Sequence, residues 1–165
     1  MNTKYWDAEE IYAFAKESNE IENIHSEERH KDHAIALTEF LDLDEISIGD
    51  LTAFVSKVQP GTFLRTAPDH NVWIGGHQAA PAHISLELLN NLLLDIKEKK
   101  NLDAWDIHCK YEIIHPFLDV NGRSGRCLWA WMMLKYHNYY GDMKFLRMFY
   151  YQTLQHYRKV KNEKR

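Results

Sequence analysis

Between His115 and Arg126 the chain reads His-Pro-Phe-Leu-Asp-Val-Asn-Gly-Arg-Ser-Gly-Arg. This short loop holds an imidazole that can take a proton, a carboxylate that can serve as a hard oxygen ligand for Mg²⁺, an Asn-Gly turn and two guanidiniums. Those are the parts that group transfer from a nucleoside triphosphate requires. Each has an ordinary reading when taken alone. The chain has ten histidines, Asp119 would also serve as a turn residue or helix cap, and Asn121-Gly122 is a common turn. The arginines are harder to explain away. Arg123 and Arg126 stand three residues apart on the first turn of a helical pattern, where the helix dipole disfavours cations. Their planar forks suit phosphate, and the N–H groups of such a terminus attract anions.

The loop lies between two helical patterns. Upstream is the amphipathic stretch Leu102 to Ile114; downstream is the almost wholly apolar run Cys127 to Leu134, which reads as a buried helix. Further helices are expected at 7–18 with Asp7 as N-cap, from Ser26 to Leu41, from Ile48 to Val58, from about His83 to Lys99, and from Met143 to Val160. The exception is Thr62 to Gly76. There Thr62–Thr66 and Val72–Ile74 are strand-like, and Pro68-Asp-His-Asn71 between them has a turn composition, which predicts one β-hairpin. The expected class is all-α, a helical bundle with a single hairpin.

With 165 residues and 45 % hydrophobic content, a single domain spanning 1–165 is expected, large enough for a proper core. A net charge of −4 argues against nucleic-acid binding, and the basic end Arg158–Arg165 reads as a solvated helix end. Cys109 and Cys127 fall inside helical patterns without paired spacing, as reduced core thiols of a cytoplasmic protein do. No run has the roughly 18 apolar residues of a membrane span, and the first residues lack a signal-peptide core. The oligomeric state stays open.

The loop 115–126 resembles the signature of the Fic (filamentation induced by cAMP) family, His-x-Phe-x-Asp/Glu-Gly-Asn-Gly-Arg-x-x-Arg. His115, Phe117, Asp119, Asn121, Gly122, Arg123 and Arg126 match; Val120 stands where the family usually has a glycine. The hairpin at 62–76 resembles the family's flap, so the likeness runs from about Thr62 to Tyr140. It implies the helical Fic fold and transfer of AMP from ATP to a Ser, Thr or Tyr hydroxyl of a target protein, with self-modification as a variant. By matching position, His115 would be the general base and Phe117 a core anchor. Asp119 would ligate Mg²⁺, and Asn121 with the Gly122 backbone would form the anion nest. Arg123 would hold the β-phosphate and Arg126 the γ-phosphate. Val72, Trp73 and Ile74 would dock the target by strand addition. A base of this kind is expected to titrate near neutrality.

Val120 bears on two outcomes. If the family's glycine serves a positive φ, a β-branched residue there is strained and distorts the nest; if φ is negative, valine is harmless. Ser18-Asn-Glu-Ile-Glu22-Asn23 also resembles the inhibitory pattern Ser/Thr-x-x-x-Glu-Gly/Asn that one self-inhibited class carries ahead of its core, here within residues 1–25. On that resemblance Glu22, steadied by Ser18 one turn away, would pair with Arg126 and occupy the γ-phosphate's fork. Four other readings stay open. They are phosphorylation as in the Doc branch, transfer of another nucleotide, removal of AMP, and a nucleotide- or partner-binding module disabled by Val120. Unlike that branch, the chain keeps Gly122 and Arg126.

Overall fold

Helix α1, Ala8–Ile21, starts where the sequence places its cap: the Asp7 carboxylate accepts the Glu10 N–H at 2.8 Å, and the Glu10 carboxylate accepts the Asp7 N–H in return. The computed structural model describes residues 6–98, 102–137 and 147–163. Over them follow α2 (Glu27–Leu41, capped by Ser26), α3 (Ile48–Val58, capped by Ser47), a two-stranded hairpin β1 (Trp73–Ile74) and β2 (His77–Gln78), α4 (Ala82–Glu98), α5 (Ala104–Ile114), α6 (Asn121–His137) and α7 (Arg147–Glu163). The protein is all-α with one small hairpin, as expected. Lys99, Met143 to Leu146, and the final Lys164 and Arg165 lie outside the described residues.

The apolar run after Arg126 forms the buried middle of the bundle. Cys127, Leu128, Ala130 and Met132 on α6 are sealed in, and Trp131 packs among them while its indole N–H donates to the Leu43 carbonyl at 2.8 Å. Leu37 and Phe40 of α2, Leu51 and Phe54 of α3, Leu89 of α4 and Tyr111 of α5 close the same core. A smaller apolar cluster joins Ile21 at the end of α1, Cys109 on α5 and Leu154 on α7. Among the described residues no helix is long and apolar enough to cross a membrane.

The hairpin is not the one the sequence predicts. Its turn is Gly75-Gly76, both at positive φ (51° and 83°), and it pairs Trp73 with Gln78 and Ile74 with His77. The run Thr62–Thr66 pairs instead with the 115–126 loop. Leu64 bridges Phe117, the Arg65 N–H donates to the Pro116 carbonyl at 2.8 Å, and the Leu118 N–H donates to the Phe63 carbonyl at 3.1 Å. Pro68–His70 forms a short 3₁₀ turn between the two. The physical reason is that Pro116 ends α5, so the loop's backbone needs partners from another segment.

Candidate active site

Helix α5 stops at His115. Pro116 cannot continue it, and His115 takes a left-handed conformation at φ 50° with its N–H on the Tyr111 carbonyl. The end of α5 is then held from outside. Arg65, fully buried, donates from Nε to the His115 carbonyl at 2.6 Å and from Nη2 to Ile114 and Ala80 at 2.8 Å each; Nη1 donates to His70 at 3.0 Å. One guanidinium thus satisfies orphan carbonyls of a helix C-terminus and ties the base of the flap to the residue beside it. A lone arginine in a strand-like run gives no sequence signal of this role.

The loop then closes on itself. Phe117 is sealed in the core, and the Asn121 side chain accepts its N–H at 2.9 Å and donates to its carbonyl at 2.8 Å. Asn121 is therefore a staple of the loop, its amide group engaged with the Phe117 backbone and not directed at an anion. Val120 adopts φ 70°. The valine holds the left-handed conformation that suits glycine, at a strain on the order of 1–3 kcal/mol. Its side chain, 3 % exposed, joins the core with Phe117, which offsets part of that strain.

At the N-terminus of α6 two arginines are buried. Arg123 has Nε and Nη1 without hydrogen-bond partners, its Nη2 lying 3.9 Å from Asp119. Arg126 donates from Nε to the Ser18 hydroxyl and from Nη2 to the Ser18 carbonyl, both at 2.8 Å, and from Nη2 to Glu22 Oε1 at 2.9 Å. Ser18 therefore holds the arginine, not the carboxylate as the resemblance suggests. Glu22 caps the end of α1, and Asn23 after it stands at φ 59°; a left-handed residue here is what a Gly-or-Asn position provides. Gly122 is needed for closeness: a Cβ there would lie 2.4 Å from Glu22 Oε1.

Around these groups is a cleft of about 520 Å³ lined by Glu22, Arg29, His115, Asp119, Gly122 and Arg123. The Asp119 side chain is 65 % exposed to it and accepts the Val120 N–H at 2.6 Å. Among the described residues no group of three or more His, Cys, Asp or Glu could hold a metal alone. Trp73 on the flap is 70 % exposed, and Val72 accepts the Ala79 N–H at 3.0 Å.

A family model described as the Fic/DOC family matches residues 33–133. The chain belongs to that family. No curated protein matches it. Within this Fic/DOC chain the matched span begins at His33, so α1 with Ser18 and Glu22 precedes it and reaches the loop only through tertiary packing.

Burial sets the electrostatics. His115 is pushed down to about 4, first by desolvation and then by the Arg65 cation, so at neutral pH it is an uncharged imidazole able to accept a proton. That is well below the near-neutral value expected from its type. Desolvation also lowers Arg123. Glu112, one turn before His115, is raised to about 7 by burial, with Arg126 opposing.

Three further residues carry no signal of their roles in the sequence. Asn19 links α1 to α2, its amide group meeting the Arg29 carbonyl and His30 and its oxygen meeting His33, each at 3.1 Å. Tyr151 on α7 donates to Glu22 Oε2 at 3.2 Å. Gly125 lets α6 approach α5, since a Cβ there would lie 2.9 Å from Glu112 Oε1 and Tyr111.

Proposed function

We propose that this chain transfers AMP from ATP to a Ser, Thr or Tyr hydroxyl of a protein, and that Glu22 restrains the transfer. The observation that supports this reading is the seat of the Glu22 carboxylate, on Arg126 and over Gly122 at the start of α6. An anion already sits there, at a positive helix end beside two buried guanidiniums, one with unpartnered donors.

In this reading the triphosphate lies along the first turn of α6, Arg123 on the β-phosphate and Arg126 on the γ-phosphate. The neutral His115 takes the proton of the target hydroxyl. The hydroxyl oxygen bonds to the α-phosphorus, the bond from that phosphorus to the pyrophosphate oxygen breaks, and pyrophosphate leaves. Asp119 suits Mg²⁺, which needs only one or two carboxylates when phosphate oxygens complete its shell; the ion would offset charge on the α- and β-phosphates. The exposed edge of β1, Val72 to Ile74, would align the target by strand addition. Both cysteines are free and buried, which suits a reducing compartment such as the cytoplasm.

Glu22 blocks the γ-phosphate's fork and leaves the α-phosphate misaligned; a misplacement of about 1 Å can cost roughly a hundredfold in rate. The test is incubation of the Glu22→Gly chain with ATP labelled on either the α- or the γ-phosphate. Protein-bound label from the α-phosphate in Glu22→Gly, with little in the parent, is expected. Label from the γ-phosphate would mean phosphorylation, and ATP binding without label would mean a binding module.

A further inference from the structure

A buried carboxyl that the transfer reading leaves unused lies behind the base. Glu112, on the turn of α5 before His115, is 5 % exposed. Its Oε2 is 4.0 Å from His115 Nδ1, and its Oε1 is 4.0 Å from His108 Nε2. Oε1 and His115 Nδ1 are both buried without a hydrogen-bond partner. Since Nδ1 faces this interior and the ring lines the cleft, Nε2 is the nitrogen a substrate hydroxyl can reach. The separation is too long for a hydrogen bond and short enough for strong attraction between charges in a dry site.

We infer that Glu112 is a positioning residue for His115: its carboxylate faces Nδ1, orients the ring with Nε2 toward the cleft, and holds the positive charge that the imidazole gains during transfer. The inference rests on the AMP-transfer reading for its consequence, but the pairing itself is a property of the resting protein. In the step concerned, the hydroxyl proton moves to His115 Nε2 as the oxygen bonds to the α-phosphorus. The imidazolium then carries N–H on both nitrogens, the Nδ1 one pointing at Glu112. When the proton is released to water the pair resets.

The need for a partner follows from the surroundings. Desolvation and Arg65 oppose charge on His115, as does Arg158 from α7, while the Glu112 backbone carbonyl and Asp119 favour it. Around Glu112 stand Arg126 from α6, Glu22 from the end of α1, Arg158, and its own helix neighbours His108 and His115. His77 of β2, Asp95 of α4 and Lys110 line the apolar cleft on its other side. With His115 low (about 4) and Glu112 high (about 7), the pair holds one proton, on Glu112, between those two values and none above pH 7. Only the ionised carboxylate can stabilise the imidazolium, so activity should rise through Glu112's titration.

The experiment is the pH–rate profile for α-phosphate label in the Glu22→Gly chain, with and without Glu112→Gln. With Glu112 the rate is expected to rise with a midpoint near pH 7. In Glu112→Gln that limb should move down by more than one pH unit, the plateau should fall roughly 10–100-fold, and KM for ATP should stay within about threefold. An unmoved limb with a plateau within about threefold would overturn the inference. A second measurement needs no catalysis: the His115 ring signal, assigned with His115→Ala, is followed by NMR against pH in the otherwise unaltered chain. An inflection near pH 7 that disappears in Glu112→Gln is expected. A flat response with Glu112 present would overturn the pairing. Absence of label alongside an intact inflection would sink the transfer reading and leave the pairing standing.

Discussion

Arg126 and Glu22, 104 residues apart in the chain, meet at 2.9 Å, the glutamate lining the cleft. Arg126 does not depend on Glu22 for its place, because Ser18 takes two of its donated bonds. Removing the glutamate therefore frees a fork that stays aimed, and for the proposed triphosphate it would lift a like charge worth on the order of a few kcal/mol at an effective dielectric near 20. Glu22→Gly is expected to tighten Mg·ATP binding at least about tenfold in calorimetry. Arg126→Ala should weaken it in either background. Equal affinity in parent and Glu22→Gly would rule out the lock.

Tyr151 gives the Glu22 carboxylate a second hold. Its hydroxyl donates to Glu22 Oε2, and burial with the Glu22 charge pushes its own titration up to about 12, so it remains a donor at working pH. A hydrogen bond to a charged group is worth roughly 1.5–3 kcal/mol. At this longer distance Tyr151→Phe should raise the parent's basal transfer about 3–10-fold. In Glu22→Gly the same change should do nothing, a non-additivity that a double-mutant cycle reads directly. Additive effects would mean that Tyr151 acts elsewhere.

His115→Ala tests the base. The backbone there is fixed by Arg65 through the carbonyls of Ile114 and His115, so the loop should survive the loss of the ring. Transfer in the Glu22→Gly background should fall below detection while ATP affinity holds within about threefold. Parallel loss of binding would make the histidine structural.

Arg65→Ala should be among the most damaging changes away from the phosphate site. It leaves four carbonyl acceptors to find other donors, two of them at the end of α5. A loss of about 3 kcal/mol or more in denaturant unfolding is expected. Lysine should rescue little, since one ammonium cannot span the four positions. A loss under about 1 kcal/mol would mean the helix end is held by other contacts.

Glu112 also predicts a pH dependence of stability. Its folded value, about 7, lies above the ordinary carboxyl value of 4.5, so the native state binds the extra proton. The stability this contributes is fully present below about pH 4.5 and is lost as pH rises through 7. Glu112→Gln cannot ionise. The parent's Tm should therefore drop several degrees more than the variant's between pH 6 and pH 8. Parallel curves would place the carboxyl's titration outside that window.

The sequence by itself determined the helical class, most helix starts and the motif that marks the Fic/DOC family. These are local properties. Asp7, Ser26 and Ser47 each accept the N–H group three residues on, and the run from Cys127 is too apolar to leave in water. The pairing of Glu22 with Arg126 was legible too, because a spaced pattern encodes it; Asn23 at positive φ shows the physical content of one of its positions. Tertiary structure decided the rest. Whether Thr62–Thr66 paired with Val72–Ile74 or with the loop depended on which backbone lacked partners, and Pro116 left the loop needing them. The roles of Arg65, Tyr151 and Glu112 come from groups distant in sequence or hidden by burial. The His115 value near 4 likewise arises from desolvation and a cation 50 residues away. A residue's type sets what it can do; the solvent it loses and the charges brought beside it decide what it does.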